Sequence, residues 1–249
     1  MTERKKYELT DEFIEHWSGK KLYRIKALID FGLVVAGSLG GFVESENNLD
    51  HNGNAWVYGN AWVCGNARVY GNAWVYGNAR VYGNAEVYGN TEVCGDAWVY
   101  GNARVYGNAE VCGNTRVYVD AWVYGDARVY GDAEVYGNAR VYGDAEVCGN
   151  ARVYVDAWVY GDARVYGDAE VYGNAEVCEQ RSVIWFSVVG TENGTLTIYK
   201  SKDGSLLATR GCFSGTVDEF LAKSAQVHDE KTKREYELLI EVAKSRILG

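Results

Sequence analysis

Hydrophobic and polar positions alternate with a strict six-residue period over the middle half of the chain. From Gly53 to Cys178 the sequence is 21 hexads of the form Gly-Asn/Asp-Ala/Thr-x-Val-Tyr/Cys, without insertion or deletion. A fixed short period specifies a solenoid, in which each unit stacks on its neighbours. Ala and Val lie two residues apart, as do x and Tyr, so a short extended segment turns Ala and Val inward and x and Tyr outward. Gly-Asn or Gly-Asp then forms the corner. Every hexad has Asn or Asp there, whereas Val119 and Val155 replace the glycine. A β-branched residue resists φ > 0, so the Asn/Asp position is expected to carry the left-handed turn, with glycine giving room.

The x position holds eight Arg, seven Glu and six Trp, and it tests how many hexads close one coil. Residues one coil apart lie about 4.8 Å apart, where like charges repel and Arg–Glu or Arg–Trp pairs attract. Three hexads per coil give three outward columns. The first reads Trp56, Trp74, Glu92, Glu110, Arg128, Glu146, Arg164. The second reads Trp62, Arg80, Trp98, Arg116, Glu134, Arg152, Glu170, and the third Arg68, Glu86, Arg104, Trp122, Arg140, Trp158, Glu176. Only Glu92 over Glu110 is then a like-charged step, whereas two hexads per coil would create several. The expected fold is mainly β: a three-sided parallel β-helix of about seven coils, 18 residues each.

Composition fits this picture. The 249 residues include 30 Gly and 20 Tyr but no Pro. That excludes collagen, which needs proline at a period of three, and disorder, which avoids aromatics. The net charge of −9 is concentrated in the repeat, where eight Arg face fifteen acids. Such a surface repels phosphate, so no direct nucleic-acid binding is expected. The basic residues Arg4, Lys5 and Lys6 are followed by acids and not by an apolar run, and the Ala27 to Val43 stretch is too short and interrupted to span a membrane. A soluble cytoplasmic protein is expected, with its six cysteines as free thiols. Cys94 and Cys112 are vertical neighbours within disulfide range, but their parallel side-chain vectors make pairing doubtful.

Read from valine, Val-Tyr-Gly-Asn-Ala-Arg resembles the hexapeptide repeat of left-handed β-helix proteins, and the resemblance implies a left-handed coil. Together with Leu22 to Leu28 and Gly40 to Glu46, the repeat is similar to a family of uncharacterised phage and prophage proteins. Some of these are described as polymer-forming by analogy with bactofilins, whose right hand is the one the crossover rule favours. Hexapeptide enzymes place histidines between subunits, but His16, His51 and His228 all lie outside this repeat. Neither acyltransfer nor carbonic anhydrase chemistry has a residue to land on.

Residues 1–52, with strands expected over Leu22 to Leu28 and Leu33 to Ala36, read as an N-terminal cap on an otherwise open sheet edge. Residues 179–249 read as a small α+β domain of three strands (Val183 to Val189, Thr195 to Tyr199, Leu206 to Arg210) and two helices. A Thr216-Val217-Asp218-Glu219 capping box opens the first helix.

Two candidate constellations emerge. Trp56, Trp62, Trp74, Trp98, Trp122 and Trp158, with Tyr58 and Tyr76, are outward aromatics suited to anchoring a protein partner. Asp126, Asp144 and Asp162 share one corner column, and three carboxylates at about 4.8 Å could attract a cation such as calcium. The expected function is non-enzymatic binding of a protein partner. The phage resemblance implies that this partner is a bacterial host factor, such as a defence protein. The alternatives are a self-assembling scaffold or homo-oligomer, and an acidic mimic of nucleic acid.

Overall fold

Alanine and valine of every hexad point into the prism and are fully buried, with Thr91 and Thr115 taking two alanine places. The computed structural model describes residues 5–249, so Arg4 of the basic N-terminal stretch lies outside it. Each hexad contributes one short strand, and strands 18 residues apart pair in parallel register, as in Glu92↔Glu110 and Trp98↔Arg116. The 21 strands form three faces of seven, carrying the three columns anticipated from the charges. Among the described residues no helix is long and apolar enough to cross a membrane.

The corner corrects the expectation about its chemistry. Glycine carries the left-handed backbone, and Val119 (φ 63°) and Val155 (φ 64°) adopt it too. Space adds to the requirement: a Cβ on Gly101 would sit 2.9 Å from the backbone nitrogen of Val119 one coil on. The Asn/Asp residues do something different. Their side-chain amides donate along the prism to the residue one coil later, from Asn54 through Asn72, Asn90 and Asn108 to Asp126 at 3.1, 2.9, 3.0 and 2.8 Å.

Backbone bonds between coils have a fixed direction. Each N–H donates to a carbonyl of the following coil, as Trp56 does to Ala73 at 3.0 Å and Tyr58 to Val75 at 2.8 Å. The N-terminal end of the prism therefore presents orphan carbonyls and the C-terminal end orphan N–H groups, and both must be satisfied where buried.

The leader supplies donors to all three faces. Strands β1 (Tyr7–Glu15), β2 (Lys21–Ala27) and β3 (Leu39–Val43) form an antiparallel ribbon, and β3 pairs in parallel with Trp62-Val63. Phe42 and Glu44 donate their N–H groups to Ala61 and Val63 of the second face. On the first face Lys6 Nζ donates to the Ala55 carbonyl at 2.8 Å. On the third, Asn48 Nδ2 donates to Ala67 at 2.8 Å and the Asp50 N–H to Val69 at 3.0 Å. The solenoid thus begins in the leader, before the repeat at Gly53. Leu33 to Ala36, expected as a strand, is a turn closed by a Phe31↔Val34 bridge.

The C-terminal region has four antiparallel strands, one more than expected: Val183–Val189, Gly194–Lys200, Leu206–Arg210 and Phe213–Thr216. Helices α1 (Val217–Val227) and α2 (Glu230–Leu248) follow. The capping box is formed, with Thr216 Oγ1 accepting from the Glu219 N–H at 3.2 Å and Glu219 Oε2 accepting from the Thr216 N–H at 2.8 Å. Leu196 and Ile198 face the helices, packing with Phe220, Tyr236 and Ile240. Thr197 and Tyr199, alternating with them, face the prism. There Thr197 Oγ1 accepts from the Glu170 N–H at 3.0 Å and Tyr199 OH from the Tyr172 N–H at 3.2 Å.

Candidate docking surface

The six repeat tryptophans, expected to form one outward set, fall into three environments. Trp56 and Trp62 are not on the surface at all, because the leader folds over them. Trp56 is fully buried among Tyr7, Phe31 and Tyr58, with ring centroids at 6.1, 5.3 and 6.4 Å. Trp62 packs with Leu22 and Phe42 under His16, whose ring lies 5.0 Å away. Both are therefore parts of the cap and are withdrawn from the candidate docking set.

Trp98, Trp122 and Trp158 are partly exposed but sandwiched. Arg80 and Arg116 lie 4.8 and 5.7 Å from the Trp98 ring, and Arg104 and Arg140 lie 5.2 and 4.9 Å from Trp122. Arg140 and Lys202 lie 5.1 and 4.0 Å from Trp158. Each such contact stabilises a partly exposed pair by about 0.5–1 kcal/mol. These rings serve the stacking of coils.

Trp74 remains. Among the described residues no cation stands over it, and its ring meets only Tyr58 edge-on, at 5.6 Å. Leu33, Tyr58, Trp74, Tyr76 and Glu92 line an open groove of about 450 Å³ on the first face, below the leader. Leu33, from the leader turn, is 78% exposed at its lip, and nearby in sequence Val35 is 63% exposed. The Tyr76 hydroxyl donates to Glu92 Oε2 at 2.7 Å, and burial together with that carboxylate pushes the phenol up to about 12. The groove thus combines an apolar lip, three aromatic rings and one carboxylate. Leu33 is the member that sequence reading missed; an exposed leucine in a non-periodic leader gives no signal of its own.

The remaining tyrosines are structural. They form two unbroken six-rung stacks, Tyr70 to Tyr160 and Tyr82 to Tyr172, with most neighbouring centroids 4.7–5.0 Å apart and near-parallel rings. The third outward tyrosine column forms no such stack, because it holds Cys94, Cys112 and Cys148 between Tyr76, Tyr130 and Tyr166. Cys94 and Cys112 form a disulfide across one coil, Cα to Cα 4.5 Å, which corrects the expectation that every cysteine is a free thiol. Parallel strands one coil apart bring the two Cβ atoms close enough despite their common direction. Cys64, Cys148, Cys178 and Cys212 are free.

The aspartate column does not assemble a metal centre. Asp126, Asp144 and Asp162 line a shallow hollow with Arg128, Arg164 and Gln180, and among the described residues no group of three His, Cys, Asp or Glu side chains is placed to hold a metal ion. The interleaved guanidinium groups balance part of the charge that would have drawn calcium. At the N-terminal end, a larger polar hollow of about 760 Å³ is lined by Glu44, Glu46 and Asn48. These groups are committed to the cap: Glu44 accepts from Lys20 Nζ and the Gly65 N–H, both at 2.7 Å, and Glu46 accepts from Lys5 Nζ at 2.6 Å.

A search of curated proteins finds no match to the chain. The family model described as the YdcK beta solenoid repeat matches at residues 61–77, 73–89 and 97–113, stretches that include Trp74 and Tyr76, and the protein is similar to that solenoid repeat there.

Proposed function

We propose that this protein is a non-enzymatic binding module, a rigid β-prism that presents the Trp74 groove to a protein partner. The observation that carries this reading is the isolation of Trp74. Two of its five counterparts are buried by the leader and three are clamped by cations, whereas Trp74 faces an open groove with an exposed leucine at its lip. Tryptophan in a partly apolar pocket is the residue type most often found anchoring interfaces. The similarity of the repeat to phage-encoded solenoids favours a bacterial host protein, such as a defence factor, as the partner, and the cytoplasm as the place of encounter. The reading is tested by affinity capture from bacterial lysate with the unaltered protein, Trp74→Ser and, as a control for loss of an exposed indole away from the groove, Trp17→Ser, whose side chain is 85% exposed in the leader. A protein recovered by the first and third but lost with Trp74→Ser is expected. Recovery that is indifferent to Trp74→Ser, or nothing above background, overturns it.

Self-assembly by end-to-end stacking is the competing reading. It would need the orphan carbonyls of one end to meet the orphan N–H groups of another, but the leader already donates to carbonyls on all three faces of one end, and the α+β domain already accepts from Glu170 and Tyr172 at the other. Light scattering across concentration separates the two, since a growing particle size would favour the scaffold.

A further inference from the structure

Tryptophan and glutamate follow a consistent vertical pattern in this prism, and the groove is where it is left incomplete. Trp98 and Trp122 have guanidinium groups on both sides, and Glu86, Glu110, Glu134, Glu146 and Glu170 each lie within 4.0 Å of an arginine nitrogen one coil away. Two glutamates are exceptions, Glu92 and Glu176. Both lie directly beneath a tryptophan, in the register pairs Trp74↔Glu92 and Trp158↔Glu176.

These two steps are local duplicates. In each, a Trp-Val-Tyr segment stacks on a glutamate one coil later, and the tyrosine hydroxyl donates to that glutamate: Tyr76 to Glu92 at 2.7 Å and Tyr160 to Glu176 at 2.5 Å. They differ in what approaches from outside. At the C-terminal copy, the Ser201-Lys202-Asp203-Gly204 turn of the α+β domain leans over the prism. Lys202 Nζ sits 4.0 Å from the centre of the Trp158 ring and shares a hollow with Glu176. At the N-terminal copy, no part of the described chain supplies a cation, and the corresponding space is the open groove beside Leu33.

We infer that the Trp74 groove receives a lysine or arginine side chain from a partner protein, in the way that Trp158 and Glu176 receive Lys202. This deepens the binding reading above and rests on it. The chemistry is shared by both cations: the charged head lies over the indole and beside the Glu92 carboxylate, while the aliphatic stem runs across Tyr58 and Leu33. A neutral side chain of the same length would keep the stem contact and lose both electrostatic ones. The exposed leucine at the lip favours an apolar residue next to the cation in the partner.

The probes are the capped dipeptides Leu-Lys and Leu-Arg, with Leu-acetyllysine and Leu-citrulline as neutral controls. They are titrated into the full chain while the Trp74 indole N–H is followed by NMR, its signal assigned through Trp74→Phe. A saturable shift with both cationic peptides is expected, weaker by about tenfold with the neutral controls, which lose both the cation–π contact and the charge pair, and by about threefold in Glu92→Gln, which loses only the charge pair. Circular dichroism and the unshifted indole signals of Trp98 and Trp122 verify that Glu92→Gln is folded. Equal shifts with charged and neutral peptides, or undiminished binding by a folded Glu92→Gln, overturn the inference. If capture of a partner depends on Trp74 while the cationic peptides fail, only the cation preference falls and the binding reading stands.

Discussion

The ammonium of Lys6 donates to the carbonyl of Ala55 across 2.8 Å, making on the first face a bond that a preceding coil would otherwise make. The side chain is buried to 1% exposure, and desolvation lowers its pKa to about 8, against the opposing pull of Asp50. Below pH 8 both the folded and unfolded chains carry this proton. Above it the folded chain releases the proton first, so stability rises with pH until the unfolded value near 10.5 is reached. Urea unfolding at pH 7.5 and 9.5 is expected to show greater stability at the higher pH, and Lys6→Met should abolish the difference. Lys6→Met should also lose about 1–3 kcal/mol, the cost of leaving a buried carbonyl unpaired.

The tyrosine ladders have the opposite dependence. Burial pushes the phenols of Tyr82 and Tyr118 up to about 12. An unfolded chain ionises its tyrosines near pH 10, so the ladder contribution is fully present below that value and is lost between pH 10 and 12. The ladder share of the phenolate absorbance is expected to rise together with loss of β signal, between pH 10 and 12. Ordinary titration centred at pH 10 in a still-folded protein would contradict the buried-ladder account.

Val119 is the clearest place where the repeat can be improved. A β-branched residue at φ 63° is strained by about 1–2 kcal/mol relative to glycine, and Gly101 above it and Gly137 below it already have the conformation the corner requires. Val119→Gly, and independently Val155→Gly, should each raise the denaturation midpoint by the equivalent of roughly 1 kcal/mol once the flexibility of glycine in the unfolded chain is counted. A fall in midpoint for both would mean that the valine side chains make compensating contacts.

The corner amides give a fourth test. Asn108 Nδ2 donates to Asp126, but Asp126 has no donor to offer Asp144, nor Asp144 to Asp162, so this ladder ends two coils before its column does. Asp126→Asn with Asp144→Asn should extend it by two bonds and remove two like-charged neighbours. A gain of about 1–2 kcal/mol is expected, smaller at high salt as the repulsive part is screened. Differential scanning calorimetry at low and high ionic strength would measure both parts.

Much of the prism is legible in the sequence because its side chains are locally periodic. The alternation of Arg with Glu and Trp in the x position sets 18 residues per coil, and the inward Ala and Val follow from period two. The corner is not legible in the same way, because Gly and Asn both tolerate a left-handed backbone, and two valines at the glycine position point away from a strain that they in fact bear. The fate of Trp56 and Trp62 was not legible, since their burial depends on Tyr7, Phe31, Leu22 and Phe42 returning from a leader without periodicity. The groove at Trp74 shares that origin: its aromatic wall is written in the repeat, but its apolar lip comes from Leu33. The fourth C-terminal strand, Phe213–Thr216, is short and runs directly into the Thr216 cap, so the helix signal masked it.

Because equivalent residues recur in register every 18 positions, the prism behaves as a length gauge. Removing or duplicating three consecutive hexads would shift the Trp74 groove relative to the Lys202 turn by about 4.8 Å along the axis while leaving each of them with its own neighbours. Spacing between the two ends can therefore change in fixed increments without redesigning either end. A partner that touches both would be matched to one number of coils, and a partner that touches only one would be indifferent to it.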